Sequence, residues 1–271
     1  TTQPQMSRAA QAGESTAQQR AAEAQKPAET TAPPRAAKMT VGSGGGAGAT
    51  SLPGIPILFV ARRQYSKAEH VTATLFQAGE ADAAGFAGGS ALKVAEPDGT
   101  VETLIEAPDG VIRDPDVHFD GGRIVFSMRT NSVDSYHIYE IDRDGKNLRQ
   151  LTFAAGVSDI DPIYLPDDGI AFASTREPLY STSGAHLMTG IYRMDGDGSN
   201  IHRIGARGVS EGRCSLMPDG RILYDRWEQV DRTHLNALGL WTMGQDGTNH
   251  ASFWGNNTSS PEAVFDGRII P

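Results

Sequence analysis

The sequence predicts an all-β fold, a β-propeller, and two observations carry that prediction. The first is a set of tight turns ending in Asp-Gly: Phe119-Asp120-Gly121, Pro166-Asp167-Asp168-Gly169, Pro218-Asp219-Gly220 and Phe265-Asp266-Gly267, whose glycines are 48, 51 and 47 residues apart. The second is an interleaved set, Asp98-Gly99, Asp144-Gly145, Asp197-Gly198 and Asp246-Gly247, with spacings of 46, 53 and 49. Asp-Gly suits a tight hairpin because glycine takes a positive φ without steric cost. Two such turns per period of about 50 residues give four strands per repeat, the period of a propeller blade.

The first fifty residues stand apart. They are mostly Ala, Gln, Thr, Pro and Gly, hold no aromatic residue, and close on Gly42-Ser43-Gly44-Gly45-Gly46-Ala47-Gly48. So little apolar surface does not offset the entropy of ordering, and residues 1–50 read as a disordered tail or linker. The glycine run lacks a following Gly-Lys-Ser/Thr, which argues against a phosphate loop. No signal peptide is recognisable and the first residue is Thr, so either the chain starts after a cleavage site or an upstream portion is missing.

Residues 51–271 form the repeat region. A divergent unit, about 55–106, begins at Ile57-Leu58-Phe59-Val60, passes a long Ala/Gly-rich loop at roughly 64–90, and resumes at Ala91-Leu92-Lys93-Val94. The clearest unit, 113–152, has Val117-His118-Phe119, the Asp-Gly turn, Arg123-Ile124-Val125-Phe126-Ser127-Met128-Arg129, then Tyr136-His137-Ile138-Tyr139-Glu140-Ile141 in the two-residue rhythm of a strand. Units 160–205 and 212–253 repeat it, and a fifth starts near 261 and stops at Pro271. Because each blade buries its faces on both neighbours, four blades and a stub are expected to be part of a six- or seven-bladed ring.

The full chain carries a net charge of −9, and the first fifty residues hold 5 basic and 3 acidic groups, leaving a body at −11. That balance argues against nucleic acid as a partner. No apolar run reaches the roughly 20 residues of a membrane helix, so no membrane span is expected. The one cysteine, Cys214, excludes an internal disulfide, a Cys-x-x-Cys-His haem attachment or a multi-cysteine zinc site, and it reads as a buried small hydrophobe. No cofactor is expected in this chain.

A resemblance follows from the repeats. Arg113-Asp114-Pro115-Asp116 with Phe126-Ser127-Met128-Arg129 and His137-Ile138-Tyr139-Glu140-Ile141 resembles the Tol-type, WD-like propeller repeat of many exported bacterial proteins. Asp159-Ile160-Asp161-Pro162-Ile163-Tyr164-Leu165-Pro166 with Phe172-Ala173-Ser174-Thr175-Arg176, Ile191-Tyr192-Arg193-Met194-Asp195, Leu223-Tyr224-Asp225-Arg226-Trp227-Glu228 and Leu240-Trp241-Thr242-Met243 are more similar to the propeller of the hydrazine synthase alpha subunit and its relatives. The resemblance covers 57–271. It implies a periplasmic or secreted bacterial protein, but carries over no haem chemistry, since the attachment motif is absent.

Candidate functional groups come from repeat-placed charges. Asp114, Asp116, Asp159, Asp161 and Glu211 are all expected to precede inner strands, near one mouth of a central channel. Arg129, Arg176 and Arg226 follow the second strand of each unit, and alternation would return them to the same rim. Such a set fits a cation, a small polar ligand or a protein partner's loop, or the groups pair with each other and cap the backbone. Gly208-Val209-Ser210-Glu211-Gly212 matches a nucleophile elbow, but it aligns with an inter-blade connection one repeat earlier and no helix follows. Asp195-Gly196-Asp197-Gly198 reads as a hairpin turn, not a calcium loop. No catalytic or metal-ligating residue is expected. His186 and His234 fall in long loops where ligand contacts are commoner. The expected role is a non-catalytic scaffold or binding module; the alternative is the propeller portion of a larger redox (c-type haem) or hydrolytic enzyme with its catalytic groups outside this chain.

Overall fold

Asp-Gly turns and alternating strands do build four-stranded antiparallel sheets. In the computed structural model the described residues are 38–39, 54–63, 88–180, 187–228, 238–255, 260–261, 263–264 and 266–270. The first sheet holds β1 (Lys38–Met39), β2 (Ile57–Arg62), β3 (Ser90–Ala95) and β4 (Val101–Ala107). The second holds β5 (Val111–Val117), β6 (Arg123–Arg129), β7 (His137–Asp142) and β8 (Arg149–Gln150). The third is β9 (Asp159–Tyr164), β10 (Ile170–Tyr180), β11 (Leu187–Met194) and β12 (His202–Arg203), and the fourth β13 (Ser210–Leu216), β14 (Ile222–Trp227), β15 (Leu238–Met243) and β16 (Ala251–Trp254). Sheets two to four pair their strands in chain order. There is no α-helix among the described residues. The fold is a β-propeller, each sheet a blade.

The first blade departs from that order. Its sheet runs β1-β4-β3-β2, so its outer strand is Lys38–Met39, paired through Lys38↔Glu102 and Met39↔Val101. These two residues lie inside the stretch read as a disordered tail. The rim of β4 presents unpaired backbone groups, and an extended dipeptide satisfies two of its positions. The rest of 1–50, the loop at 64–87 and His70, His186 and His234 lie outside the described residues.

The turns show why Asp is required as well as Gly. In seven of them the Asp Oδ1 accepts the amide two residues on: Asp98 from Thr100, Asp120 from Gly122, Asp144 from Lys146, Asp167 from Gly169, Asp197 from Ser199, Asp219 from Arg221 and Asp246 from Thr248. Gly99, Gly121, Gly145, Gly198, Gly220 and Gly247 all take positive φ. In Pro166-Asp167-Asp168-Gly169 that conformation falls on Asp168, at φ 63, instead of on the glycine. The outer turns add an asparagine two residues later, Asn147, Asn200 and Asn249, each also left-handed.

The core lies between blades. Leu92, Leu104 and Ile105 of blade one meet Ile112, Ile124 and Phe126 of blade two, and Val125 and Ile138 meet Tyr164, Phe172 and Tyr192 of blade three. Ile163, Ala171 and Ile191 then meet Cys214, Ile222 and Tyr224 of blade four. Phe126 and Phe172 are wholly buried, and truncating either to Ala would cost about 3–5 kcal/mol. Trp227, Trp241 and Trp254 belong to these inter-blade clusters. The first strands adjoin in succession, β2 on β5, β5 on β9 and β9 on β13, and so line the axis.

Three of the four inner strands carry the same irregularity, while β2 pairs with β3 without a shift. The register shifts at Asp114-Pro115 in β5, at Asp161-Pro162 in β9 and at Arg213-Cys214 in β13, where two residues oppose one on the partner strand. The first residue of each bulge is left-handed: Asp114 at φ 50, Asp161 at φ 60 and Arg213 at φ 50. Asp266, at φ 55, is the fourth member of the series. Two bonds fix that alignment. Val264 donates its amide to Leu238 O as Asp159 does to Tyr136 O, and Asp266 N reaches Asp225 as Asp161 N reaches Ser127 Oγ. Asp266 therefore stands where Asp161 stands in its blade, not in the hairpin turn its sequence suggests.

Candidate functional site: the axial cavity

The bulges of the inner strands open onto a cavity of about 720 Å³ on the propeller axis. Its wall takes residues from β2, β5, β9, β13 and the segment 266–268. Charged groups dominate at the level of the bulges, while Phe59, Val60, Val117, Phe119 and Leu216 supply apolar wall. Phe119 is 60% exposed.

Three of the predicted site residues stand in this wall: Asp114, Asp116 and Asp161. Asp114 Oδ2 accepts from Arg113 Nε at 2.5 Å. Asp116 Oδ2 accepts the Tyr164 amide at 2.8 Å, and burial raises its pKa against that bond. Asp161 Oδ2 accepts the Cys214 amide at 2.8 Å. Burial first, then the Asp114 charge, push Asp161 up to about 7, with Arg268 and Arg113 opposing.

The other five do not face the cavity. Asp159 is fully buried between blades, accepting from Ser174 Oγ at 2.6 Å and Arg176 Nη2 at 2.8 Å. Burial raises its pKa and those two partners oppose the rise. Glu211 is equally buried, and neither of its oxygens meets a hydrogen-bond donor; the amides of Ala206 and Ile191 approach it without forming good bonds. Burial lifts it to about 7. Arg129 donates to the carbonyls of Asn131 and Ser132 and lies over the Tyr136 ring, and Arg226 lies 4.2 Å from the Trp241 ring centroid. The three arginines fail to share a rim because they occupy successive, not equivalent, positions. Arg226 pairs with Glu211, Arg129 with Val111, and Arg176 sits two residues beyond Ser174, the partner of Asp159.

Sequence reading missed Arg113, Arg213, Asp225, Asp266 and Arg268. Arg213 Nη1 meets the fully buried Asp225 Oδ2 at 2.9 Å, and Asp225 also accepts the Asp266 amide at 3.0 Å on both oxygens. Burial raises Asp225 to about 6 while Arg213 pulls it down. Arg268 pairs with Asp266 at 3.1 Å and donates to Cys214 O. The signal was there once the repeats are aligned on the bulge: one column reads Asp114, Asp161, Arg213, Asp266, and the column two residues on reads Asp116, Ile163, Ser215, Arg268.

Hydrazine synthase of Kuenenia stuttgartiensis superposes with a TM-score of 0.56 at 18% identity, over 75% of this chain and 32% of that one. A putative TolB from Agrobacterium tumefaciens gives 0.49 at 21%, over 61% and 56%, and TolB from Acinetobacter baumannii 0.47 at 19%, over 60% and 37%. The likeness is one of fold. This chain spans between 32% and 56% of the length of these neighbours. No protein-family model matches the chain, and no curated protein matches it.

The wall sets limits on chemistry. Cys214 is fully buried and its thiol is pushed well above the usual range by burial and by Asp161. Ser210 of the elbow-like motif is buried as the first residue of β13, with no helix after it. Asp195 to Ser199 is the turn between β11 and β12, closed by Asp195 N to Ser199 O. Among the described residues no group of three or more His, Cys, Asp or Glu is placed to hold a metal, and no helix is long and apolar enough to cross a membrane.

Proposed function

We propose that this chain is a non-catalytic propeller module that binds a small polar ligand or a partner's loop in the axial cavity. The supporting observation is the wall itself: bulges in successive inner strands turn charged residues onto one space of about 720 Å³. Left-handed Asp114, Asp161, Arg213 and Asp266 each carry a conformational cost, which persists where the surroundings over-determine the backbone. Rigid blades hold these groups in place, which favours binding by reducing the ordering cost.

Export to the periplasm or beyond is part of the proposal and rests on the Tol-type repeat. The alternative reading, a propeller portion of a larger redox (c-type haem) or hydrolytic enzyme, keeps the cavity as a docking surface and draws its chemistry from groups outside this sequence.

Thermal melting of the chain in millimolar arginine, glutamate and glucose tests the binding reading. A ligand of the folded state raises Tm with concentration. A rise with one solute, lost in Asp114→Asn, is the expected result. Hydrolysis of a p-nitroanilide peptide by the chain, or a Soret band in the protein isolated from its native source, would replace it with the enzyme reading.

A further inference from the structure

The axial cavity is walled by four arginines, Arg62, Arg113, Arg213 and Arg268, and four aspartates, Asp114, Asp116, Asp161 and Asp266, but the direct ion pairs do not match them one to one. Arg113 is matched by Asp114, Arg213 by Asp225 and Arg268 by Asp266. Arg62, at the end of β2, is exposed and has an interaction of its own. That leaves Asp116 and Asp161, neither of which forms an ion pair with a described residue. Asp161 is only 6% exposed, and the single hydrogen bond of its carboxylate is the one from Cys214 N to Oδ2. Asp116 accepts from the Tyr164 amide through Oδ2.

Arg268 and Arg113 attract Asp161 without forming an ion pair with it, and a nearly buried carboxylate without a direct ion pair is costly, because desolvation is only partly offset by Coulomb attraction. Backbone amides offset part of that cost. The remainder is relieved by a proton or by a cation brought from outside. The apolar wall favours the second: Phe59 and Phe119 give ring faces for a cation, and Val60, Val117 and Leu216 give cover for an aliphatic stem.

Taking the axial cavity as the binding site, we propose that it accepts a ligand bearing an ammonium or guanidinium nitrogen on an aliphatic stem. The nitrogen is held by the carboxylates of Asp161 and Asp116, and the stem lies along the Phe59, Val117 and Phe119 wall. A free alkylamine and a lysine or arginine side chain of a partner loop share this chemistry.

Isothermal titration calorimetry of the full chain at pH 7.5 separates the outcomes, with four probes: pentylammonium, pentanoate, 1-pentanol and the peptide acetyl-Gly-Gly-Lys-Gly-Gly-amide. Heat with pentylammonium supports the proposal for a free amine. Heat with the peptide alone supports it for a partner loop. Asp161→Asn and Asp116→Asn each keep the amide acceptor and, with melting temperatures near wild type, are expected to weaken that binding by about tenfold or more, the loss of a charge-assisted bond. Binding of pentanoate or pentanol in place of the cation overturns the charge assignment and leaves the cavity a binding site. Cation binding that both variants leave intact also overturns it. Silence with all four probes overturns both the cationic ligand and the binding reading.

Discussion

The carboxylate of Asp161 accepts the amide of Cys214, one blade on, at 2.8 Å. Its own amide donates to Ser127 Oγ, one blade back, at 3.1 Å. A single left-handed residue thus ties three consecutive blades at the axis. Asp161→Ala would lose the acceptor and place an ordinary side chain at φ 60, costing about 2–4 kcal/mol. Asp161→Asn keeps both features and is expected to stay within about 1 kcal/mol of wild type. Urea denaturation measures the difference; equal stabilities of the two variants would contradict this role.

Buried carboxylates set a pH dependence of definite sign. Burial raises Asp161 and Glu211 to about 7 and Asp225 to about 6, so between pH about 4 and 7 the folded chain holds more protons than the unfolded one. Stability therefore falls as pH rises through that window and levels off above it. Exposed turn carboxylates such as Asp120, Asp168 and Asp219 are held low by their hydrogen bonds and act below this range, where stability is lost as pH falls. Glu211→Gln is expected to flatten the slope, with a gain on the order of 3 kcal/mol at pH 8 relative to pH 4. An unchanged slope in urea midpoints across this range would refute it.

Arg213 and Asp225 form a buried pair 2.9 Å apart. Asp225→Asn leaves the guanidinium uncompensated and should cost about 3 kcal/mol or more. Arg213→Met in that background should cost much less than it does alone. A double-mutant cycle that returns no coupling would show the pair to be unimportant.

Cys214 is fully buried with a raised pKa, and it is the only thiol in the sequence. It should be inert to dithionitrobenzoate in the folded chain and react once per chain in denaturant. Rapid reaction of the native protein would place the thiol in solvent.

The blades were legible because their signal is local. Asp98-Gly99 or Asp219-Gly220 specifies its own turn, with the Asp bonding two residues on and the Gly supplying the positive φ. Asp266-Gly267 has the same letters and a different place, because the Asp266 amide runs to Asp225 and the neighbouring Val264 amide to Leu238 in the preceding blade. No nearby residue records that. The site was half legible for the same reason. Asp114, Asp116 and Asp161 follow from counting along inner strands, but the bulge shifts what lies opposite, so Arg129, Arg176 and Arg226 fall out of register. Glu211 shares its column with Asp159, yet only Asp159 forms an ion pair: Arg176, two residues beyond its register partner Ser174, reaches it, whereas Arg226, opposite Glu211, pairs with Glu228. Lys38–Met39 lay hidden because two residues of strand have no periodicity to read.

The central claim is that ligands enter the axial cavity. Amide chemical-shift mapping on the labelled chain, with pentylammonium and with pentanoate in separate samples, tests it most directly. The amides of Cys214 and Tyr164 donate to Asp161 and Asp116, and they are predicted to move first and furthest with the cation. Shifts confined to β8, β12, β16 or the outer turns in both samples would contradict the account.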